Sequence, residues 1–319
     1  MPPSPCLVGD IGGTNARFAV AERSGDTVRL QDPQSFLCAD FNSAEAAIDL
    51  YLSKTGAPRP AGCVLAVAGP VEDGAVDSTN GAWRVAETDL RRYGFERARV
   101  INDYEAQALS IGALQPQDLA RIGPDLPIDR RRTAAIFGAG TGFGAAALAA
   151  DGLSETPATT EAGHAAFAPT DEVEIELLRL FTRWYGRCSV ERILSGPGVC
   201  DLRRALGLID GAEPPALEAP QILAAAAGGG DPLCRRTVDR FVAIYGSVAG
   251  DIALTMGARG GVYLAGGIAP RLLADLQAGR FRERFEAKGR FSGYMAAIPT
   301  HVVMHPYGAL LGAARALSY

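Results

Sequence analysis

Apolar and polar positions along the chain fall into two kinds of pattern. Short apolar runs closed by glycine read as strands; longer stretches with apolar residues every three or four positions read as helices. Leu7 and Val8 end one strand, and Phe18 to Val20 begin the next, with Phe18 and Val20 on one face. Gly12 and Gly13 between them make the segment a hairpin. "VRLQDPQSFL" suggests a further strand pair, and "FNSAEAAIDLYLSKTG" a helix capped by Asn42 or Ser43. "CVLAVAGPVEDGAVDSTNGAW" is a buried strand, a Gly-Pro turn and a polar loop. "ARVINDYEAQALS" is a strand ending at Ile101 and a helix from about Tyr104. Hairpin, helix, strand and helix in that order predict an α/β domain with a mixed sheet.

The opening pattern then recurs. In "TAAIFGAGTGFGAAAL" a strand (Ala134 to Phe137) is followed by a glycine turn and a second strand (Ala145 to Leu148). Gly138, Gly140, Gly142 and Gly144 alternate around Thr141. "TDEVEIELLRLFTRWYG" predicts a helix with Thr170 as N-cap, and "SVERILSGPGVCDLRRALG" a turn followed by a helix. Residues Gly211 to Pro220 read as a loop. The clearest helix has Asp231 at its cap and Pro232 in its first turn. Its apolar stripe is Val238, Phe241, Val242, Tyr245, Val248, Ile252 and Met256. "GGVYLAGGI" is a short buried strand ending in Gly266-Gly267. Two strand–turn–strand units imply two related halves.

Composition narrows the picture. At 319 residues the chain is long enough for two domains or one large one. Its net charge is −5, and "RRR" (Arg130 to Arg132) is too short to track a nucleic-acid backbone. The stretch from Thr133 to Ala150 has no charge, but its glycines cluster where a membrane helix would be weakest. "MPPSPCLVGD" lacks a basic segment followed by a long apolar core, so no secretory leader is expected. The six cysteines are scattered singly, which argues for reduced thiols in a cytosolic protein and against zinc. Lys54 and Lys288 are the only lysines, and each closes a helical pattern just before a glycine. Neither follows a glycine-rich phosphate loop. A bound nucleotide would therefore rely on backbone N–H groups and a metal.

Four places could carry chemistry. The first glycine turn can be an ordinary hairpin or a nest for an anion. Asp10 beside it favours a metal–nucleotide complex, because a carboxylate next to phosphate needs a divalent cation between them. The second turn has Ala139 where the first has its aspartate, and Phe143 breaks the dinucleotide spacing G-x-G-x-x-G. "IND" sets Asn102 and Asp103 at the C-terminal end of a strand, where ligands of open α/β sheets gather. Asp103 can take a proton from a hydroxyl there, or it can cap the following helix. Glu161 and His164 in "EAGHAAFAP" can accept from and donate to adjacent hydroxyls, although a single histidine is often structural. Glu191 in "SVERILSGPG" and the loop "STNGAW" are unremarkable alone. Together these features describe a sugar kinase.

The motifs carry a resemblance over nearly the whole chain, from Leu7 to the C-terminal helix. "LVGDIGGTNARF", "GAGTGFG", "IND", "EAGH", "ERILSGPG", "LAGGI" and "KGRF…IPTHVVMHPYGALLGAA" together resemble the bacterial glucokinase family. That family shares the superfold of hexokinases, actins and heat-shock chaperone ATPases. The resemblance implies an α/β protein of two domains with a cleft between them. Residues 1–108 plus 306–319 would form the smaller domain, and 109–305 the larger. It implies ATP-dependent phosphorylation of D-glucose at the 6-hydroxyl. Asp103 would be the general base, and Asn80, Asn102, Asp103, Glu161, His164 and Glu191 the sugar ligands. Gly9, Asp10, Ile11, Gly12, Gly13, Thr14, Gly138, Gly140, Thr141, Gly142, Gly266 and Gly267 would hold ATP. Asp10 would hold Mg²⁺ through water. A cytoplasmic homodimer without nucleic-acid or membrane partners is also implied. Ala162 departs from the family's E-G-G-H, and a methyl there could narrow the sugar loop, leaving fructose or mannose as alternative substrates. A sugar-responsive repressor of the related ROK group would need a helix-turn-helix ahead of the first hairpin and a zinc cysteine cluster. Neither is expected here.

Overall fold

A computed structural model of the chain describes residues 5–25, 27–77 and 83–316. The chain divides into two compact units, Met1–Asp118 with Pro157–Thr159 and His305–Tyr319, and Leu119–Thr156 with Thr160–Met304.

The first unit runs β1 (Cys6–Ile11), β2 (Asn15–Ser24), β3 (Thr27–Leu37), α1 (Ala44–Thr55) and β4 (Gly62–Val67). A small pair, β5 (Ala75–Asp77) and β6 (Arg84–Ala86), precedes α2 (Glu87–Tyr93), β7 (Arg97–Asn102) and α3 (Asp103–Ser110). Its main sheet has the order β3-β2-β1-β4-β7. The hairpin β1–β2 is antiparallel, and β1, β4 and β7 are parallel. Alternate residues of the central strands (Leu7, Phe18, Cys63, Leu65) bury one sheet face against Ile48 and Tyr51 of α1. Ser43 caps α1 by accepting from the Ala46 N–H. The expected strand pair in "VRLQDPQSFL" is one strand. Asp32 and Pro33 are taken up as a bulge opposite Ala19, where the register slips between Phe18/Gln34 and Val20/Gln31, with Asp32 at φ 46°. A proline without an N–H is tolerated because β3 is an edge strand.

The second unit runs β8 (Leu119–Ile122), β9 (Ala134–Ala139), β10 (Phe143–Ala150), β11 (Glu155–Thr160), α4 (Glu172–Tyr185), α5 (Val190–Ile193) and α6 (Gly196–Ile209). It continues with α7 (Ala219–Ala227), α8 (Pro232–Met256), β12 (Gly261–Ala265), α9 (Leu273–Gln277), α10 (Arg280–Glu286), α11 (Ser292–Ala296) and β13 (Thr300–Val303). The last helix, α12 (Gly308–Ala316), belongs to the first unit. The sheet order β11-β10-β9-β12-β13-β8 repeats that of the first unit and adds β8 at the end. Again the hairpin β9–β10 is antiparallel, and β9, β12 and β13 are parallel. The related halves expected from the two glycine turns are thus present as two sheets of one topology.

Helix α8 is the spine of the second core. Asp231 caps it as predicted, with Pro232 in the first turn, and Val238, Phe241, Val242, Tyr245 and Ile252 are buried. Helix α4 is capped by Asp171, not by Thr170. The Asp171 carboxylate accepts from the Glu174 N–H at 2.9 Å, while Thr170, one residue outside, donates to the Glu174 carboxylate. "SVERILSGPG" is not a plain turn: α5 lies inside it, and Ser195 caps α6 by accepting from the Gly198 N–H. The predicted loop ends early, because Glu218 caps α7 and Pro220 falls in its first turn.

Candidate active site

In the first unit the C-terminal ends of the three parallel strands are level. Ile11 of β1 pairs with Val67 of β4, and Val67 with Asn102 of β7. The Gly12-Gly13 turn and the Asn-Asp pair therefore leave the same sheet edge, the place where open α/β sheets bind ligands. The turn is closed by the Gly12 N–H donating to Asn15 O at 2.9 Å, and Gly13 and Thr14 are exposed. The cap of α3 is Asn102. Its Oδ1 accepts from the N–H groups of Tyr104 (2.8 Å) and Glu105 (3.3 Å), and its Nδ2 donates to Gly69 O at 2.9 Å. Asp103 is the first helical residue, half-buried, and its Oδ1 also accepts from the Tyr104 N–H at 2.9 Å. Capping thus falls chiefly to Asn102, and a catalytic role for Asp103 is not displaced by it.

Asp10 has a partner that pattern reading missed. Arg17 stands directly opposite it in the β1–β2 register and donates to Asp10 Oδ2 at 2.9 Å. Burial pushes the Asp10 carboxyl up from its ordinary value, and the Arg17 guanidinium opposes that shift. The available signal was the spacing: two residues seven apart across a tight hairpin face each other. Among the described residues no group of three or more His, Cys, Asp or Glu side chains is placed to hold a metal ion. A single carboxylate still suits magnesium carried by a nucleotide, because that ion keeps most of its water and phosphate ligands.

The second unit gathers the other expected residues around the backbone of Phe143. The turn there is closed by the Gly140 N–H donating to Gly142 O at 2.8 Å. None of Gly12, Gly140 and Gly142 is in the left-handed region; the lack of a side chain leaves access at Gly12 and Gly140, and at Gly142 it makes room for the Glu191 carboxylate. Glu191 Oε2 accepts from the Phe143 N–H at 2.8 Å. On the other side of Phe143, a Cβ on Gly163 would lie 2.0 Å from the Phe143 carbonyl oxygen. Gly163 is therefore the glycine this loop cannot change, whereas Ala162 packs against the hydrophobic core. The methyl that departs from the family pattern has a place in that packing. Glu161 and His164 flank Gly163, both exposed, with Oε2 and Nε2 3.7 Å apart. His164 is thus no core histidine.

Gly138 lies within β9, where a Cβ would come 2.2 Å from Ala265 O. Gly266, at φ +80°, would likewise press a Cβ to 2.6 Å from Ala139 O. The second turn and the Gly266-Gly267 turn are joined backbone to backbone, and the space over Gly267 is open. Gly9 is similarly enclosed in β1 by Leu65 and Phe18. Gly9 and Gly138 are glycines for close packing behind the turns. Asn80 lies outside the described residues.

A family model described as Glucokinase matches residues 7–319. The chain is 54% identical to the glucokinase of Caulobacter sp. (strain K31), over 98% of this chain and 94% of that protein. It is 42% identical to that of Xanthomonas euvesicatoria pv. vesicatoria (strain 85-10), over 98% and 95%. The chain belongs to the glucokinase family. It is a hexose kinase, a phosphotransferase, as the motifs led one to expect. The crystal structure of a glucokinase from an Antarctic psychrotroph matches it with a TM-score of 0.90 at 35% identity, covering 99% of each chain. A ROK-family glucokinase from Streptomyces griseus, solved with glucose and AMPPNP, shares the fold at a TM-score of 0.64 and 18% identity, covering 98% of each chain. The fold is the two-unit α/β architecture of the actin-like ATPases. Among the described residues no helix is long and apolar enough to cross a membrane.

Proposed function

We propose that this chain transfers the γ-phosphoryl group of ATP to the 6-hydroxyl of D-glucose, with Asp103 as the general base. Asp103 takes the hydroxyl proton. The freed oxygen bonds to the γ-phosphorus as the bond to the β–γ bridging oxygen breaks, and ADP leaves. The observation that carries this reading is the level edge of the first sheet, where Asp103 and the Asp10–Gly13 turn emerge together while Asn102 does most of the capping. The N-terminus of α3 stabilises the charge of the Asp103 carboxylate. Gly13, Thr14, Thr141 and Gly142 would offer backbone N–H groups to phosphate, with the Gly12 and Gly140 N–H groups closing the two turns, and Gly266-Gly267 would give room for the adenosine. Asp10 would hold the nucleotide's Mg²⁺ through water, and that ion would offset phosphate charge. Glu161, His164, Glu191, Asn102 and, on the family likeness alone, Asn80 would bond sugar hydroxyls. On the family likeness we also read the chain as a cytoplasmic homodimer.

The test is ADP release with Mg-ATP across a sugar panel. Release should depend on glucose. Galactose and xylose should be poor substrates, because a site built for particular hydroxyls leaves polar groups unpaired with the wrong sugar. Fructose or mannose outpacing glucose would reassign the hexose. ADP release that ignores every sugar would overturn the reading.

A further inference from the structure

We propose that Glu191 latches the second glycine turn with one carboxylate oxygen while the other takes a hexose hydroxyl, making it a positioning residue that couples sugar to nucleotide. The inference rests on the reading above for the sugar, but the latch itself stands on geometry inside the second unit. Glu191 Oε2 accepts from the Phe143 N–H, the first backbone donor after the turn, at 2.8 Å. The same oxygen fills the space over Gly142, where a Cβ would meet it at 2.5 Å. Among the described residues Oε1 makes no hydrogen bond. A second tie comes from five residues along: the Gly196 N–H donates to Gly140 O at 2.8 Å. The same segment also grips the Glu161–His164 loop, for the Val190 N–H donates to Ala165 O at 3.0 Å and Ser189 bridges Ala166. One short stretch thus holds both the turn offered to phosphate and the loop offered to sugar.

The physical consequence is linkage. An N–H donated to a carboxylate is a charge-assisted bond, stronger than one between neutral groups. A hydroxyl on Oε1 fixes the Glu191 side chain, and with it the acceptor of the Phe143 N–H. Sugar should then tighten nucleotide binding, and nucleotide should tighten sugar by the same factor. The second turn has Ala139 in the place of Asp10, so its carboxylate comes from α5 instead.

The probe is AMPPNP with Mg²⁺, titrated by calorimetry without sugar and then at saturating glucose. In the wild-type chain glucose should tighten AMPPNP on the order of tenfold. Glu191→Ala should weaken sugar-free AMPPNP binding by a similar factor and abolish the effect of glucose. Glu191→Gln keeps an oxygen for the Phe143 N–H, so its sugar-free AMPPNP binding should stay near wild type while glucose binding falls. Gly142→Ala, which pushes Oε2 aside, should reproduce the sugar-free defect of Glu191→Ala. Amide exchange at Phe143 should quicken in Glu191→Ala and Gly142→Ala and not in Glu191→Gln, with melting curves showing each variant folded. Sugar-free AMPPNP binding and Phe143 exchange both unchanged in Glu191→Ala would overturn the latch and leave Glu191 a sugar ligand alone. Failure of the wild type to phosphorylate glucose would instead sink the substrate reading, while the sugar-free arm still decides the latch.

Discussion

The two glycine turns sit on sheets of the same topology, yet their acidic groups arrive by different routes. In the first unit the carboxylate is local: Asp10 belongs to the strand that enters the turn and is held by Arg17 from the strand that leaves it. In the second unit the strand offers Ala139, and the carboxylate is Glu191, brought from a helix 48 residues further on. A local carboxylate beside an arginine can be balanced against a metal–phosphate complex. A remote one, tied to the turn and to the sugar loop by the same segment, can relay occupancy. The comparison shows how one backbone plan holds its carboxylate in two different ways once the side chains around it diverge.

The sharpest way to break this division is at Asp103. Asp103→Ala should lower kcat at saturating sugar by roughly 10²–10⁴-fold, the usual worth of a general base. Measured well below the melting temperature, turnover within a few-fold of wild type would remove Asp103 from the mechanism. Next comes the metal side of the first turn. Asp10→Asn should impair use of Mg-ATP by roughly 10–100-fold while glucose affinity stays nearly intact. Lost glucose binding with unchanged Mg²⁺ dependence would transfer Asp10 to the sugar.

The second unit is tested by adjacent substitutions in its loop. Gly163→Ala drives a methyl into the Phe143 carbonyl, so something in the backbone must shift. It should cost about 1–3 kcal/mol in urea unfolding and raise the KM for glucose. Ala162→Gly removes only a methyl packed on the core and should cost less, about 1 kcal/mol. The reverse order of effects would misplace the constraint.

The smallest effect separates the units by pH. Each has a helix capped by one side chain: Asn102 for α3 and Asp231 for α8. Removing either cap should cost about 1 kcal/mol. Only Asp231 titrates, held down at about 2 by the Cys234 thiol and N–H, then by Arg203 and the Leu233 N–H. A folded value below the unfolded one means stability that is present above about pH 4 and lost as pH falls towards 2. Asp231→Asn should flatten that acid limb in a pH series of urea melts. An unchanged limb would show that the carboxylate contributes nothing there.

Much of this was legible in the sequence because it depends on local chemistry. Both glycine turns, the strand ending at "IND", the cap at Asp231 and the pairing of halves all follow from residues close together in the chain. What escaped were contacts set by register or by distant chain. Arg17 facing Asp10 needs the exact pairing of the hairpin. The Glu191–Phe143 bond needs the fold of half a domain. Asn102 taking most of the capping from Asp103 turned on which of two adjacent side chains points back along the helix, and sequence cannot choose between them. The α4 cap moved one residue for the same reason. "VRLQDPQSFL" read as a strand pair, but an edge strand can bulge around its proline and stay one strand.

That bulge has a counterpart. Two of the edge strands carry a proline, Pro33 in β3 and Pro157 in β11. A bare edge is an invitation to strand addition from another molecule, and a missing N–H interrupts the ladder such an addition would need. The hairpin end of each sheet is guarded in the same way, so aggregation during refolding meets a gap at β3 and at β11, while β7 and β8 end the sheets without a proline.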